Sequence, residues 1–221
     1  VPSSTAILLF SRSALAESDT KRFGSRSESV QIQQAMLDRT LATLRRAGLP
    51  IFHHDERQQR GFRFGDRLVN AMSDVYARGF ERLIVVGNDC PLLSCQYVNS
   101  AVQAMEAGRS VLGPDHRGGI WLLGLGRDQF DPAAFREISW QGPEVFDQLK
   151  SALPGGMILA RLVDVNAPKD LRRFRHVLRG VMRKVYLLLS QDTTSGPQGS
   201  GLRAIVGSEA SVSGRAPPRA A

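Results

Sequence analysis

Cysteine is scarce in this chain, long apolar runs are missing, and acids are outnumbered by bases. Only Cys90 and Cys95 occur in 221 residues, with no second Cys/His pair nearby to complete a zinc site. They are expected to be reduced, structural thiols. The run Ala6 to Phe10 is too short to cross a bilayer or to form a signal-peptide core, and no later run approaches about eighteen apolar residues. A cytoplasmic location is the expectation. Also missing are an internal repeat, a Gly-x-Ser-x-Gly elbow, a Walker loop and a G-x-G-x-x-G after the first apolar run.

The net charge of +8 invites a nucleic-acid reading, so its placement matters. Residues 172 to 221 hold nine Arg/Lys against two acids, which leaves the preceding 171 residues close to neutral. A nucleic-acid face built into the globular body is therefore not expected. Any affinity for polyanions belongs to the tail. There Leu171, Phe174, Leu178, Val181, Val185 and Leu188 recur at helical spacing with basic residues between them. The stripe is expected to pack on the sheet, and weak contact with a membrane surface or a partner is the alternative. After Gln191 the composition turns to Ser, Gly, Pro, Thr and Ala, which predicts disorder.

Strand and helix signals alternate along residues 5 to 174. Strands are expected at Thr5–Phe10, Pro50–His53, 82–87, Ser110–Leu112, Ile120–Leu125 and Met157–Val163. Helices are expected at Val30–Ala47, Asp66–Ala77, Tyr97–Ala107, Pro143–Leu149 and, as one long element, from Pro168 onward. Such alternation predicts an α/β fold, a Rossmann-like and mostly parallel sheet with helices on both faces. The expected division is a catalytic-type domain over 1–174, a basic amphipathic helical extension over 175–190 and a disordered tail over 191–221.

The stretch LIVVGNDCPLL (83 to 93) is the most pointed feature. Four apolar residues read as a buried strand, and Gly-Asn-Asp followed by Pro91 ends it abruptly. In open α/β sheets ligands bind just outside the carboxyl ends of strands, so Asp89 stands where a metal or phosphate ligand would stand. The alternative is a turn aspartate capping the next helix. His53 and His54 look like metal ligands, but neighbours on a strand point to opposite faces.

Four motifs occur in order: residues 61–105, SVLGPDHRGGIWLLGL (110–125), ISWQGPEVFDQL (138–149) and LVDVNAPKDL (162–171). Together they resemble a bacterial family of uncharacterised GT-A-like proteins, usually labelled as candidate glycosyltransferases. The family is similar to 2-phospholactate guanylyltransferase and to molybdenum-cofactor guanylyltransferases. The resemblance implies a nucleotide-diphospho-sugar transferase fold in which Asp89 helps hold a divalent cation, Mg2+ or Mn2+, on the nucleotide phosphates. A hard cation with oxygen ligands neutralises charge that builds up on those phosphates. By the same resemblance Asp164 is a second metal ligand, and Asn166 stands where the pattern D-x-D-T-P-x-D-L has its second aspartate. Arg67 matches the family's Gly-x-Arg-Leu, near a helix start where anions bind, and Arg22 matches an arginine of the phosphate-binding loop. Lys21 is displaced by one from the family lysine. Gly118 and Gly119 are expected to let the backbone approach a ligand or to form a tight turn. Arg117 occupies a position where an acid is expected, with Asp115 two residues away as the available general base. Asp170 matches too, although an acid in the first turn of a helix stabilises it whatever the function.

The sequence reading is thus a metal-dependent transferase for a nucleotide or nucleotide sugar and an unidentified acceptor, by glycosyl or nucleotidyl transfer. Asp89 and Asp115 are its candidate catalytic residues. The rival is a catalytically degenerate GT-A-like domain kept as a binding or interaction module, since fold does not guarantee activity.

Overall fold

The computed structural model describes residues 4–178 together with 183, 185 and 187. Six strands occur in chain order: β1 (Thr5–Phe10), β2 (Ile51–His54), β3 (Arg82–Val86), β4 (Val111–Pro114), β5 (Ile120–Gly126) and β6 (Met157–Ile158). The helices are α1 (Ala14–Ser18), α2 (Arg26–Arg45), α3 (Phe64–Tyr76), α4 (Cys95–Glu106), α5 (Pro132–Glu137), α6 (Val145–Ala152), α7 (Pro168–Arg173) and α8 (Arg175–Leu178). The strands form one sheet in the order β2-β1-β3-β5-β4-β6. All run parallel except β5, which is antiparallel to both β3 and β4.

The unbroken apolar runs of β1 and β3 follow from burial on both faces. Ala6, Leu8 and Phe10 alternate with Ile7 and Leu9. The first set packs with Leu68 and Met72 of α3, Phe135 of α5 and Leu149 of α6. The second packs with Leu37 and Leu44 of α2 and Val98 and Ala101 of α4. From β1 the chain crosses by α2 to β2 on one side, then by α3 to β3 on the other. The order reverses at β1, and that opens a crevice at the carboxyl ends of β1 and β3.

Several boundaries differ from the sequence reading. Helix α2 starts at Arg26 rather than Val30 because Ser25 and Glu28 form a reciprocal capping box: Glu28 N–H donates to Ser25 Oγ at 3.3 Å, and Ser25 N–H donates to Glu28 Oε2 at 2.7 Å. Strand β6 is two residues long, where one from Met157 to Val163 was expected. Along the strand and the segment after it, the N–H groups of Met157, Leu159 and Leu162 donate to the carbonyls of Ser110, Leu112 and Pro114. Two residues of β4 are thus matched first by two and then by three of the partner, and the extra residue breaks the ladder. Trp121 Nε1 donates to Ala160 O within that bulge. The long helix expected from Pro168 breaks at Phe174, whose ring stacks on His116 with centroids 5.4 Å apart. Helices α1 and α5 were not anticipated. The 191–221 tail and most of 175–190 lie outside the described residues. No described helix is long and apolar enough to cross a membrane.

Candidate functional site

The carboxyl ends of β1 and β3 border a cleft of about 1030 Å³. Asp89 follows β3, as its sequence suggested, and lines this cleft. Its backbone carbonyl accepts the N–H of Val165 at 2.9 Å, which draws the 162–166 segment across the strand ends. Asp164 comes from that segment, and its carboxyl lies close enough to Asp89 for the two charges to act on each other. Burial and the Asp89 carboxylate, with Asp115 adding to them, push Asp164 up to about 7 against the opposing pull of Lys21 and Asn166.

Lys21 is the cation at the centre. Its Nζ lies 2.6 Å from Asp89 Oδ2 and 2.9 Å from Glu17 Oε1. Burial alone would lower this ammonium, but the two carboxylates together hold it above the ordinary lysine value. Glu17 is buried on α1, an element that sequence reasoning missed. The signal was the Ser13 N-cap, whose Oγ accepts the N–H of Ala16 at 3.3 Å. Arg22, by contrast, is exposed and outside the cleft lining. In this loop Lys21, not Arg22, lies against Asp89.

Arg67 lines the cleft and donates to Phe62 O at 2.8 Å. Gly119 lines it too, whereas Gly118 does not. A Cβ on Gly118, at φ +88, would stand 1.8 Å from Pro143 O, so its close approach is to the 139–143 turn. Asp115 Oδ1 accepts the N–H of Arg117 at 2.6 Å and of Gly119 at 2.9 Å. Its first task is to fix the β4–β5 turn at the cleft. Arg117 in turn places a guanidinium nitrogen 2.6 Å from Asp170 Oδ2. Asp170 also accepts the N–H of Asn166 at 3.0 Å and of Ala167 at 2.9 Å, so it caps the start of α7 while holding Arg117. Trp140 and Gln141 complete a wall that the sequence did not mark as functional. Gln141 is the one described non-glycine residue with positive φ (71°), a conformation that such walls at binding sites often store.

Two features bear on whether a cation fits here. Asp89 Oδ1 is a buried acceptor with no donor among the described residues. Asp164 is raised first by burial and then by the neighbouring Asp89 carboxylate. A cation would supply the missing partner of Asp89 Oδ1 and favour the ionised form of Asp164, and hard oxygen donors suit Mg2+ or Mn2+. Among the described residues no three His, Cys, Asp or Glu side chains converge on one point, so a cation held by Asp89 and Asp164 would keep several waters. Asn166 Nδ2 donates to Asp164 Oδ2, which makes Asn166 first a support for that carboxylate.

Comparison with known proteins agrees with this architecture. A crystal structure from Desulfovibrio desulfuricans G20, described as a candidate nucleotide-diphospho-sugar transferase, superposes with a TM-score of 0.72 at 21% identity, over 86% of this chain and 96% of that one. At that identity the likeness speaks for the fold. A Mycobacterium sp. strain JC1 homologue of the Mycobacterium tuberculosis protein Rv0371c aligns at 16% identity over 85% of this chain and 100% of that one, with a TM-score of 0.49. No curated protein matches the chain. Residues 36–142, a segment that carries β2 to β5 and Asp89, match the family described as "Uncharacterized protein conserved in bacteria (DUF2064)".

Proposed function

We propose that the protein is a metal-dependent transferase that binds a nucleotide or nucleotide sugar in the cleft at Asp89. The observation that carries this reading is the pairing of Asp89 and Asp164 at the strand ends, with a buried carboxylate oxygen left without a donor. Asp89 and Asp164 would hold the cation, which when bound supplies neutralisation of phosphate charge. Lys21 and Arg67, both in the cleft lining, add cationic donors for phosphate oxygens.

Of the two transfers, the arrangement supports nucleotidyl transfer better. An inverting glycosyl transfer needs a general base at the acceptor. Asp115, the nearest sequence candidate, already accepts two backbone N–H bonds on one oxygen. In nucleotidyl transfer an acceptor oxygen bonds to the α-phosphorus while the bond to the bridging oxygen breaks, and pyrophosphate leaves. Positioning and charge stabilisation can carry that step.

One observation favours a second reading, a degenerate binding module: Lys21 already bonds Asp89 Oδ2 at 2.6 Å, where a cation would compete with it. A thermal-shift screen of the four nucleoside triphosphates and common nucleotide sugars, with and without Mg2+ or Mn2+, separates the two. A nucleotide at hundredfold excess over its Kd should stabilise the protein by about 2.7 kcal/mol. The expected result is metal-dependent stabilisation by one nucleotide, lost in Asp89→Ala. Absence of any shift in a folded wild type would favour the module.

A further inference from the structure

A second cavity, of about 460 Å³, adjoins the main cleft, and Arg117 and Asp164 line both. Its other walls are His116, Lys169, Asp170, Arg173 and Phe174. We propose that this cavity is the acceptor subsite and that it takes a small molecule bearing a phosphate or carboxylate group. The proposal rests on the reading of the main cleft as the nucleotide site and names the chemistry of the other substrate.

Three observations support it. Lys169 and Arg173 are four residues apart on α7 and so share one face. Among the described residues neither is paired with a carboxylate. Arg117 is paired, but the pairing is with Asp170, a carboxylate only 4% exposed that is itself held by two backbone N–H donors. A guanidinium has five N–H donors, so anchoring one edge on Asp170 fixes the plane and leaves others for a ligand. The pocket also has a flat wall. His116 and Phe174 stack at 27° between ring planes, and the Arg173 guanidinium lies 5.2 Å from the Phe174 centroid. Three cations thus face a cavity of a size that holds a small metabolite. Because Arg117 and Asp164 line both cavities, a molecule held there lies beside the phosphates of a nucleotide in the main cleft. An arginine at 117, where an acid was expected, then suits an anionic acceptor.

The test is calorimetric titration of the full chain with inorganic phosphate and, separately, malonate, at about 0.15 M ionic strength, where distant surface charges are screened. At least one anion is expected to bind, and the double variant Lys169→Gln/Arg173→Gln, both at exposed positions, is expected to weaken it about tenfold or more. Arg117→Gln should do the same, but it strands buried Asp170 and is read only if its melting profile stays cooperative. Lys21→Met, which removes a cation of the main cleft only, should retain the anion. Phosphate binding alone indicates a phosphorylated acceptor, and malonate binding alone a carboxylate one. The proposal is overturned if neither anion binds, if the double variant binds as the wild type does, or if Lys21→Met abolishes binding, which would put the anion in the main cleft. If the anion binds with the expected pattern while no nucleotide stabilises the protein, the transferase reading fails and the anion site stands.

Discussion

Lys21 and Asp164 show how single residues set the character of the cleft. Lys21 satisfies two carboxylates at once, so Lys21→Met leaves both without their cation and should lower stability by about 1–2 kcal/mol. Chemical denaturation with an unchanged slope would check this, and a neutral result would mean that water replaces the ammonium easily. Asp164 carries a different signature. With a chelator present its carboxyl holds a proton in the folded protein up to about pH 7, whereas the unfolded chain releases it near pH 3.9. Between those values the folded state binds more protons, so this residue makes stability fall as pH rises from about 4 to about 7. Melting curves across that range should show a slope that Asp164→Asn flattens. The thiols offer a simpler contrast. Cys90 is buried and its thiol is pushed well above the ordinary range by that burial, while Cys95 is partly exposed. Native alkylation is expected to label Cys95 and spare Cys90; rapid labelling of both would mean that the 87–94 turn opens readily.

At the scale of elements, tight approaches matter more than propensities. A Cβ on Gly118 would meet the backbone carbonyl of Pro143, which cannot rotate away, whereas Gly48 at φ +69 has nothing within 4 Å of its Cβ position. Gly118→Ala should therefore cost about 3 kcal/mol or more, and Gly48→Ala about 1 kcal/mol. Equal costs by thermal denaturation would show that the 139–143 turn yields. Most strands and the longer helices were legible because their residues recur at the period of a face: Leu68, Ala71, Met72 and Val75 on α3 are the plain case. The position of Asp89 was legible too, since an apolar run that stops at Gly-Asn-Asp can end in few ways. The short elements were not. Helix α1 depends on one Ser13 cap, α5 on Asp131 and Pro132, and β6 breaks on a bulge set by a partner strand. Nor does any local pattern announce that Lys21 reaches Asp89 or that Arg117 meets Asp170, since these pairs are 68 and 53 residues apart and are created by sheet order alone.

Across the whole molecule, a third cluster joins α2 to the end of the described chain. Val185 is 1% exposed and packs in a cluster with Ile32, Met36, Val163, Val165 and Leu171. Its share of the apolar stripe is thus spent on α2 and the 163–165 segment rather than on the sheet. Val185→Ala should cost about 2 kcal/mol, and an unaltered melting temperature would leave the stripe available for other surfaces. The same cluster ties the segment carrying Asp164 to α2. The reversed direction of β5 has a consequence of its own. Because β5 runs against β3 and β4, the short connection from Asp115 to Gly119 arrives at the ligand end of the sheet, while Lys21 and Asp89 reach that end from β1 and β3. On the proposed reading, the nucleotide side of the cleft (Lys21, Asp89) and Arg117 on its acceptor side come from separate stretches of the polypeptide, so the hairpin tip can change without altering the ends of β1 and β3.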